Sequence, residues 1–313
     1  MPEKELELLL NPPQEVFNQL IDKSAASDGW AHQPYDYQFW RQNFAGFWFF
    51  AIVEKDTQNL VVGACLARWD QKNGGRPLFS IGLYYCVEEY RGDGHGSTIF
   101  KAVMDIIGDS DACLTGSVDM VEKYAKSYGF DKMQPYWYYH STIRMSDLRI
   151  PTEIANDVIT KNWREVDENA LEAYDLTICP RDRKTIMRSW FEMDQVYTRV
   201  AFDEKGTIVG YGTIRVVNLN RLCACPFYAE NLMVAERLLS DILSEIPNVT
   251  SYENLFFWHP EINENATKLF KQFSKDGRFT MEKDFKTQFR NTLIIVTPDE
   301  KVYSVADSTH QFV

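Results

Sequence analysis

The chain has 313 residues and a formal net charge of −12, and 45% of its residues are hydrophobic. A chain of this size folds into packed cores and, at the usual ~150 residues per domain, contains two domains. The excess of acidic residues argues against nucleic acid or an anionic membrane as the main partner, because those partners need clustered lysine and arginine. We therefore expect no nucleic-acid and no membrane partner.

The N-terminus and the cysteines indicate a reduced, cytoplasmic protein. The first residues, MPEKELELLLNPP, are too charged and too short for a signal peptide, and no apolar run is long enough to span a membrane. Cys65, Cys86 and Cys113 lie in apolar runs and are predicted to be buried. Cys223 and Cys225 lack the two-residue gap and the partner pair of a zinc site, so we expect no metal.

The first elements along the chain are two helices and a strand hairpin. Apolar residues at helical spacing predict helices over residues 15–24 and 35–44. Runs rich in β-branched and aromatic residues predict strands over residues 47–53 and 60–69, and a polar turn joins them.

The next stretch predicts a strand, a glycine-rich turn and a helix. Residues 78–87 (LFSIGLYYCV) carry no charge, as expected for a strand buried on both faces. The turn at residues 88–97 contains three glycines in five residues and precedes a helix at residues 98–107. Glycine permits positive φ, and the first N–H groups of a helix have no intrahelical partner. Such a turn can hold a phosphate group, although a turn without a ligand is the alternative.

The glycine spacing resembles one family of phosphate loops. Glycines at 92, 94 and 96 do not fit GxGxxG, and no Gly-Lys-Ser/Thr follows as in a P-loop. The pattern Arg91-x-x-Gly94-x-Gly96 resembles the acetyl-CoA loop of the GNAT (GCN5-related N-acetyltransferase) superfamily. The resemblance implies that backbone amides of the loop hold the CoA pyrophosphate, and that the end of the strand pairs through its backbone with the pantetheine arm. The implied cofactor-binding residues are Cys86, Val87, Arg91, Gly92, Asp93, Gly94, His95, Gly96 and Ser97.

The rest of the first half predicts a strand over residues 112–118, a helix over 119–128 and a strand over 133–143. This order of elements is the one that the GNAT fold implies. The aromatic residues of the early helices would then either line an acceptor cleft or cap the core. They are Trp30, Tyr35, Tyr37, Phe39 and Trp40.

The resemblance also implies candidates for proton transfer. The helix ending at Gly129-Phe130 resembles the family's Tyr-x-x-x-Gly-Phe, whose tyrosine often protonates the CoA thiolate. Ala125 occupies that position here, and Tyr124 lies one residue earlier, so Tyr124 is the candidate acid and solvent the alternative. The tyrosine is rotated by ~100° on the helix relative to the family's position.

The predicted strand at residues 78–87 contains no carboxylate or histidine that could act as the general base. Glu89 in the following turn is the candidate, with Glu88 and His140 as alternatives. Asp93 departs from the lysine or arginine that is common in the family at this position, and its charge opposes phosphate binding.

The second half repeats the order of the first. A strand and a short helix are expected within residues 154–174, then a helix at 181–191, a hairpin at 197–217, a strand at 223–229, and a helix at 230–246. A strand at 255–259, a helix at 263–273 and a last strand at 289–296 complete the pattern. Such internal repetition indicates two copies of one fold.

The second copy lacks the phosphate loop, because residues 225–231 contain no glycine and Glu230 lies where an anion would bind. We expect that it does not bind CoA in the same way. The whole chain resembles a tandem GNAT family with a degenerate second domain, such as the holothin-acyltransferase type and related nematode proteins. The resemblance implies that the second domain braces or covers the acceptor cleft.

The predicted fold class is therefore α+β, with two tandem GNAT-like domains, each a mixed, mostly antiparallel sheet flanked by helices. The expected domains are residues 1–147 and 148–313. The resemblance implies an acyl-CoA-dependent N-acyltransferase that moves acetyl from acetyl-CoA to a primary amine by direct transfer. A backbone N–H near Val87 would hold the oxyanion. The alternatives are a non-catalytic acyl-CoA-binding or sensing protein and a scaffold that has lost CoA.

Overall fold

One continuous β-sheet carries both halves of the chain. The computed structural model describes residues 4–70, 75–152, 154, 157–294, 298–307 and 309–310. Within these residues the strands form a single 14-stranded sheet, on which eight α-helices pack. None of the helices in this described part is long and apolar enough to cross a membrane.

In the first half, the described residues up to 147 form four helices and seven strands. The helices are α1 (Gln14–Asp28), α2 (Asp36–Asn43), α3 (His95–Ile107) and α4 (Val121–Tyr128). The strands are β1 (Leu6–Leu10), β2 (Gly46–Glu54), β3 (Leu60–Trp69), β4 (Leu78–Cys86), β5 (Asp111–Ser117), β6 (Lys132–Met133) and β7 (Tyr138–Arg144). The strand, turn and helix around the glycine-rich turn are confirmed.

The second half, residues 148–313, repeats this arrangement. Its helices are α5 (Glu168–Ile178), α6 (Lys184–Phe191), α7 (Leu232–Glu245) and α8 (Glu264–Gln272). Its strands are β8 (Ile159–Asn162), β9 (Val196–Phe202), β10 (Ile208–Val217), β11 (Arg221–Ala229), β12 (Asn254–Pro260), β13 (Thr280–Arg290) and β14 (Val302–Ser304). The prediction of an α+β fold built from two similar halves is confirmed.

Each half contributes one strand to the other half's part of the sheet: β13 of the second half lies next to the β4–β5 pair of the first, and β7 of the first half lies next to the β11–β12 pair of the second. The strand order is β1-β2-β3-β4-β5-β13-β7-β12-β11-β10-β9-β8. Strand β13 pairs antiparallel with β5, and β7 pairs antiparallel with β12. The two exchanged strands also pair with each other. The halves are therefore joined by backbone hydrogen bonds and not only by side chains.

The predicted last strand at residues 289–296 is wrong in its position. Strand β13 begins at Thr280, and residues 295 and 296 lie outside the described residues. The segment TMEKDFKTQFR carries five charged residues, which hide its strand pattern. It is a strand because β5 and β7 offer hydrogen-bonding edges on both sides. Short strands β1 and β14 were not predicted either.

The helices divide the sheet into two different faces. Helices α1, α2, α5 and α6 contribute to one core that runs across both halves. On the opposite face, α3 packs on the first half and α7 and α8 pack on the second half, in two separate cores. We call the face with the continuous core the shared face.

A buried ion pair joins the halves on the shared face. Arg215 on β10 donates from Nη2 to Asp36 Oδ1 on α2 over 2.7 Å, and the two side chains are 2% and 0% exposed. The Arg215 guanidinium also lies 4.4 Å from the centre of the Trp190 ring. Burial raises the pKa of Asp36, but Arg215, His32 and the Gln33 N–H together outweigh burial, and the net pKa is lowered. Asp36 is therefore ionised.

A second buried carboxyl fixes the segment before β14. Asp299 is 4% exposed, and its Oδ2 accepts hydrogen bonds from the hydroxyls of Tyr136 and Tyr138. Burial raises the pKa of Asp299 to about 7, and Glu300 adds to the shift. The carboxyl keeps its proton at mildly acidic pH and holds the C-terminal segment against the first half.

Replacing Arg215 by Met is expected to lower the free energy of unfolding by roughly 3–5 kcal/mol, because it leaves the Asp36 charge buried without its partner. Urea unfolding measures this loss. Arg237→Met is the control, since Arg237 forms a half-exposed i,i+4 pair with Asp241, worth about 0.5 kcal/mol. Equal losses in the two variants would contradict the role of the buried pair.

Asp299→Asn is expected to flatten the dependence of stability on pH. Between pH 3.8 and about 7 the unfolded chain loses the Asp299 proton while the folded chain keeps it. Stability therefore falls as pH rises through this window, by at most roughly 1.4 kcal/mol per pH unit from this group. Unfolding free energies of wild type and variant should be closest near pH 3.8, where Asp299 is protonated in both states, and should diverge toward neutral pH as the wild type alone loses stability. Parallel curves would show that Asp299 ionises normally.

Candidate functional site

In the first half, the parallel strands β4 and β5 separate part of the way along their length. They pair from Leu78 with Asp111 to Ile81 with Leu114, and no further pairing follows among the described residues. At the same level β4 contains a bulge, where Leu83 and Tyr84 lie opposite the single residue Ala64. Leu83 has a φ of 49°. A bulge leaves backbone groups outside the ladder, so the separation opens beside unpaired backbone.

The glycine-rich turn lies at the open end of this separation. Gly92 and Gly94 have φ values of 98° and 86°, which glycine adopts without strain. A Cβ added to either residue would meet nothing within 4 Å. Helix α3 starts with Gly94 as its N-cap, without a side-chain cap and without an acidic residue in the first turn. Its first N–H groups therefore face open space, where an anion is favoured.

The two predicted cofactor-binding residues at the end of β4, Val87 and Cys86, have different hydrogen-bond partners. The Val87 N–H donates to Val61 O on β3 over 2.9 Å, so it is engaged within the sheet and is not the free oxyanion donor that we expected. Alternation along the strand turns the Cys86 backbone toward the separation. The Cys86 carbonyl accepts a 2.9 Å hydrogen bond from Arg91 Nε. Arg91 therefore braces the strand end rather than the turn.

Three further residues of the turn are placed around its mouth. Asp93 and Ser97 are exposed, and His95 is half-buried with its ring 6.3 Å from that of Tyr90. Gly96 has a packing role, because a Cβ there would collide with the Tyr84 hydroxyl.

Tyr124 lies between the separated strands on the α3 side. Its ring is stacked on Phe100 with centroids 5.7 Å apart, and 6.3 Å from the ring of Tyr84 on β4. A Cβ on Gly116 of β5 would lie 3.3 Å from the tyrosine ring. Burial, together with Tyr84 and Tyr128, raises the pKa of Tyr124. Its hydroxyl therefore stays protonated. Tyr124 reaches this position although it lies one residue away from the tyrosine of the GNAT motif.

The candidate bases lie farther from the separation. Glu89 is exposed in a short 3₁₀ turn after β4. His140 lies on β7 against the rings of Phe256 and Trp258, and Trp258 donates from Nε1 to Asp284 Oδ2 over 2.6 Å. Burial lowers the pKa of His140, so the imidazole is neutral at neutral pH.

The corresponding separation in the second half is filled by the chain itself. Strands β11 and β12 pair at Leu222 with Leu255 and at Cys223 with Phe256, and β14 then lies between them. The Trp258 N–H donates to Ser304 Oγ over 3.0 Å, and Ser304 Oγ donates to Ala224 O over 2.6 Å. The position of the glycine-rich turn is taken by Glu230, which pairs with Lys301.

Sequence reasoning missed this filled slot and a cluster on the shared face beside β4. Thr309 packs on Gly82, directly before the bulge, and His32, from the loop between α1 and α2, lies 2.9 Å from the Thr309 hydroxyl. No local pattern marks a lone histidine in a loop or a three-residue strand. Only the contacts between distant segments reveal them.

Comparison of the sequence with known families gives two matches. The sequence model of a family described as a protein of unknown function (DUF1248) matches residues 3–178, more than half of the chain. That of an acetyltransferase (GNAT) domain matches residues 171–288, in the half that lacks the glycine-rich turn. A Caenorhabditis elegans protein, "Uncharacterized protein F36G3.2", is 25% identical over 209 residues, which cover 62% of this chain and 63% of that protein.

Solved structures resemble the fold of the whole chain. A provisionally named acetyltransferase from Pyrococcus horikoshii has a TM-score of 0.69 at 14% identity, covering 99% of this chain and 97% of its own. A tandem GNAT protein from the clavulanic acid biosynthesis pathway has a TM-score of 0.60 at 13% identity, covering 91% and 97%. A GCN5-related N-acetyltransferase from Sphaerobacter thermophilus has a TM-score of 0.57 at 13% identity, covering 93% and 98%. The chain therefore belongs to the DUF1248 family, matches a GNAT acetyltransferase domain in residues 171–288, and has the fold of tandem GNAT proteins.

Proposed function

We propose that the first half, residues 1–147, binds acetyl-CoA and transfers its acetyl group to a primary amine. The observation that carries this proposal is the uncapped start of α3, with Gly92 and Gly94 facing empty space at the mouth of an open strand separation. The N–H groups there suit a pyrophosphate. Asp93 is exposed, so its carboxylate can stay in solvent while the backbone binds the anion.

The open separation between β4 and β5 suits the pantetheine arm. Family membership implies that this arm pairs with the end of β4, and the Cys86 backbone faces that space. The Cys86 carbonyl is held by Arg91, so the cofactor would pair beside this contact or replace it. In the second half β14 already occupies the same position as an extra strand. We therefore assign the second half, residues 148–313, a supporting role without CoA.

Direct transfer fits the chemistry of the residues near the separation. The nitrogen of the acceptor amine attacks the thioester carbonyl carbon, a C–N bond forms, the C–S bond breaks, and the electron pair remains on sulfur. The backbone freed by the bulge in β4 is placed to stabilise the carbonyl oxygen. An acyl-enzyme on Cys86 is disfavoured, because burial raises the pKa of its thiol and reduces the thiolate population.

Tyr124 is the proposed donor of a proton to the thiolate. It lies between the separated strands and keeps its proton, because burial raises its pKa. A thiolate is a good leaving group, so the acid accelerates the step without being indispensable. The sequence-based candidate base, Glu89, is exposed and would take up the amine proton only through water.

The second half shapes the acceptor side of the site. Arg221 on β11 donates from Nη1 to Gly29 O and from Nη2 to Trp30 O, both over 2.8 Å. The Trp30 ring lies 6.0 Å from that of Tyr85 on β4. The loop between α1 and α2 is thereby held over the shared face of β4. We infer that the acceptor amine enters between this loop and the second half.

Gly94→Leu is expected to reduce acetyl-CoA affinity at least tenfold, because the side chain fills the space in front of the α3 N–H groups and strains a residue at φ 86°. Calorimetric titration measures the dissociation constant. Gly206→Leu is the matched control, since Gly206 has φ 78° and equally open surroundings in the second half. Unchanged affinity in Gly94→Leu would contradict the proposed phosphate loop.

Tyr124→Phe is expected to lower kcat about tenfold and to leave acetyl-CoA affinity unchanged, because only the hydroxyl is removed and the stacking on Phe100 remains. Thiol release from acetyl-CoA with a panel of primary amines measures kcat. Tyr128→Phe is the control, because Tyr128 packs on the same ring with centroids 3.9 Å apart. Equal kcat values in both variants would remove Tyr124 from the mechanism. Binding without turnover on any amine would instead favour a sensing role.

A further inference from the structure

The segment after β14 crosses from the second half to the first on the shared face. We call residues 305–307 and 309–310 the strap. It starts where the Val305 N–H donates to Trp258 O over 3.0 Å, and it ends where His310 Nδ1 lies 3.2 Å from Ser80 Oγ on β4. The His310 side chain is fully buried.

The strap lies on β4 at Gly82, directly before the bulge. A Cβ on Gly82 would be 2.6 Å from the Thr309 carbonyl oxygen, so backbone touches backbone there. The His310 ring is enclosed by Trp40, Phe44 and Phe47, with ring centroids 5.0, 5.4 and 5.8 Å away. The cavity left beside the strap has a volume of only about 30 Å³, the space of one water molecule.

The only polar side chain of the α1–α2 loop aimed at Thr309, among the described residues, is that of His32. Its Nε2 lies 2.9 Å from Thr309 Oγ1, and its Nδ1 lies 3.6 Å from Asp36 Oδ2. A hydroxyl, an imidazole and a carboxylate thus follow one another in a line. In such an arrangement the carboxylate orients the imidazole, whose other nitrogen accepts a proton.

The second half holds this histidine in place. The Asn218 N–H donates to His32 O over 3.1 Å, and Arg215 binds Asp36. The titratable and charged groups facing the imidazole are Asp36 on α2, Arg215 on β10, and Asp307 and His310 on the strap. His32 is 5% exposed, so bulk water has little access to it.

We propose that His32, oriented by Asp36, is the base that deprotonates the acceptor amine, and that Thr309 of the strap occupies the amine's position until an acceptor displaces it. This inference rests on the proposed acetyl transfer and replaces exposed Glu89 as the base. The acceptor reaches the bulge from the shared face, because Phe100 and the other apolar residues of α3 cover the opposite face.

The step balances without another reactant. As the amine nitrogen attacks the carbonyl carbon, its proton passes to His32 Nε2. The C–S bond breaks, and the thiolate takes a proton from water or from Tyr124, which then regains a proton from water. His32 then returns its proton to solvent once the product leaves. Displacing Thr309 breaks its side-chain contact to His32 and no strand pairing with β4 among the described residues, while the burial of His310 between aromatic rings anchors the end of the strap.

His32→Gln and Thr309→Ala test the two parts of the proposal. His32→Gln should lower kcat about 100-fold with unchanged acetyl-CoA affinity, and the dependence of kcat on pH should differ from that of the wild type. Thr309→Ala should raise kcat/KM for the amine several-fold, because the strap is held less tightly. Thiol release from acetyl-CoA, followed across roughly pH 5.5–8.5, measures both effects.

Two matched variants control for buried polar contacts elsewhere. His259→Gln removes a buried imidazole 2.9 Å from the Ser141 hydroxyl, and Thr198→Ala removes a buried hydroxyl 2.9 Å from that of Thr213. Neither should change kcat/KM. Turnover with an unaltered pH profile in His32→Gln, or an unchanged kcat/KM in Thr309→Ala, would overturn the inference and leave the proposed function intact. A wild type that does not bind acetyl-CoA would remove both.

Discussion

The buried pair of Asp36 and Arg215 is the contact on which the site depends. Each charge lies almost wholly out of water, so neither is tolerated without the other. Because Asp36 comes from the first half and Arg215 from the second, the pair fixes the halves relative to one another. The same carboxylate faces His32, and neighbouring Arg221 holds the loop carbonyls. Loss of the pair would therefore disturb stability and the acceptor side together.

The two halves use one fold in opposite ways. In the first half the parallel strands separate, and the start of α3 faces open space. In the second half β14 lies in the equivalent separation and Glu230 pairs with Lys301 at the equivalent turn. A peptide strand supplies the backbone hydrogen bonds that a bound pantetheine would make. This accounts physically for a second half that keeps the fold without keeping the phosphate loop.

The sequence predicts local features well and long-range ones poorly. The strand Leu78–Cys86 and the glycine-rich turn are visible because their signals lie within a few adjacent residues. Strand β13 is polar and takes its conformation from β5 and β7, which lie far away in the chain. His32 and Thr309 are 277 residues apart, so no spacing rule connects them. The hydrogen bond from the Val87 N–H to the Val61 carbonyl on β3 is another long-range contact that the local sequence does not reveal.

The number of CoA molecules bound per chain tests the central claim most directly. Calorimetric titration of CoA into the full chain should give one site, because the first half has an open separation and the second half contains β14. Two sites would contradict the assignment of β14 as a resident occupant. No binding at all would contradict the assignment of the first half as the cofactor site.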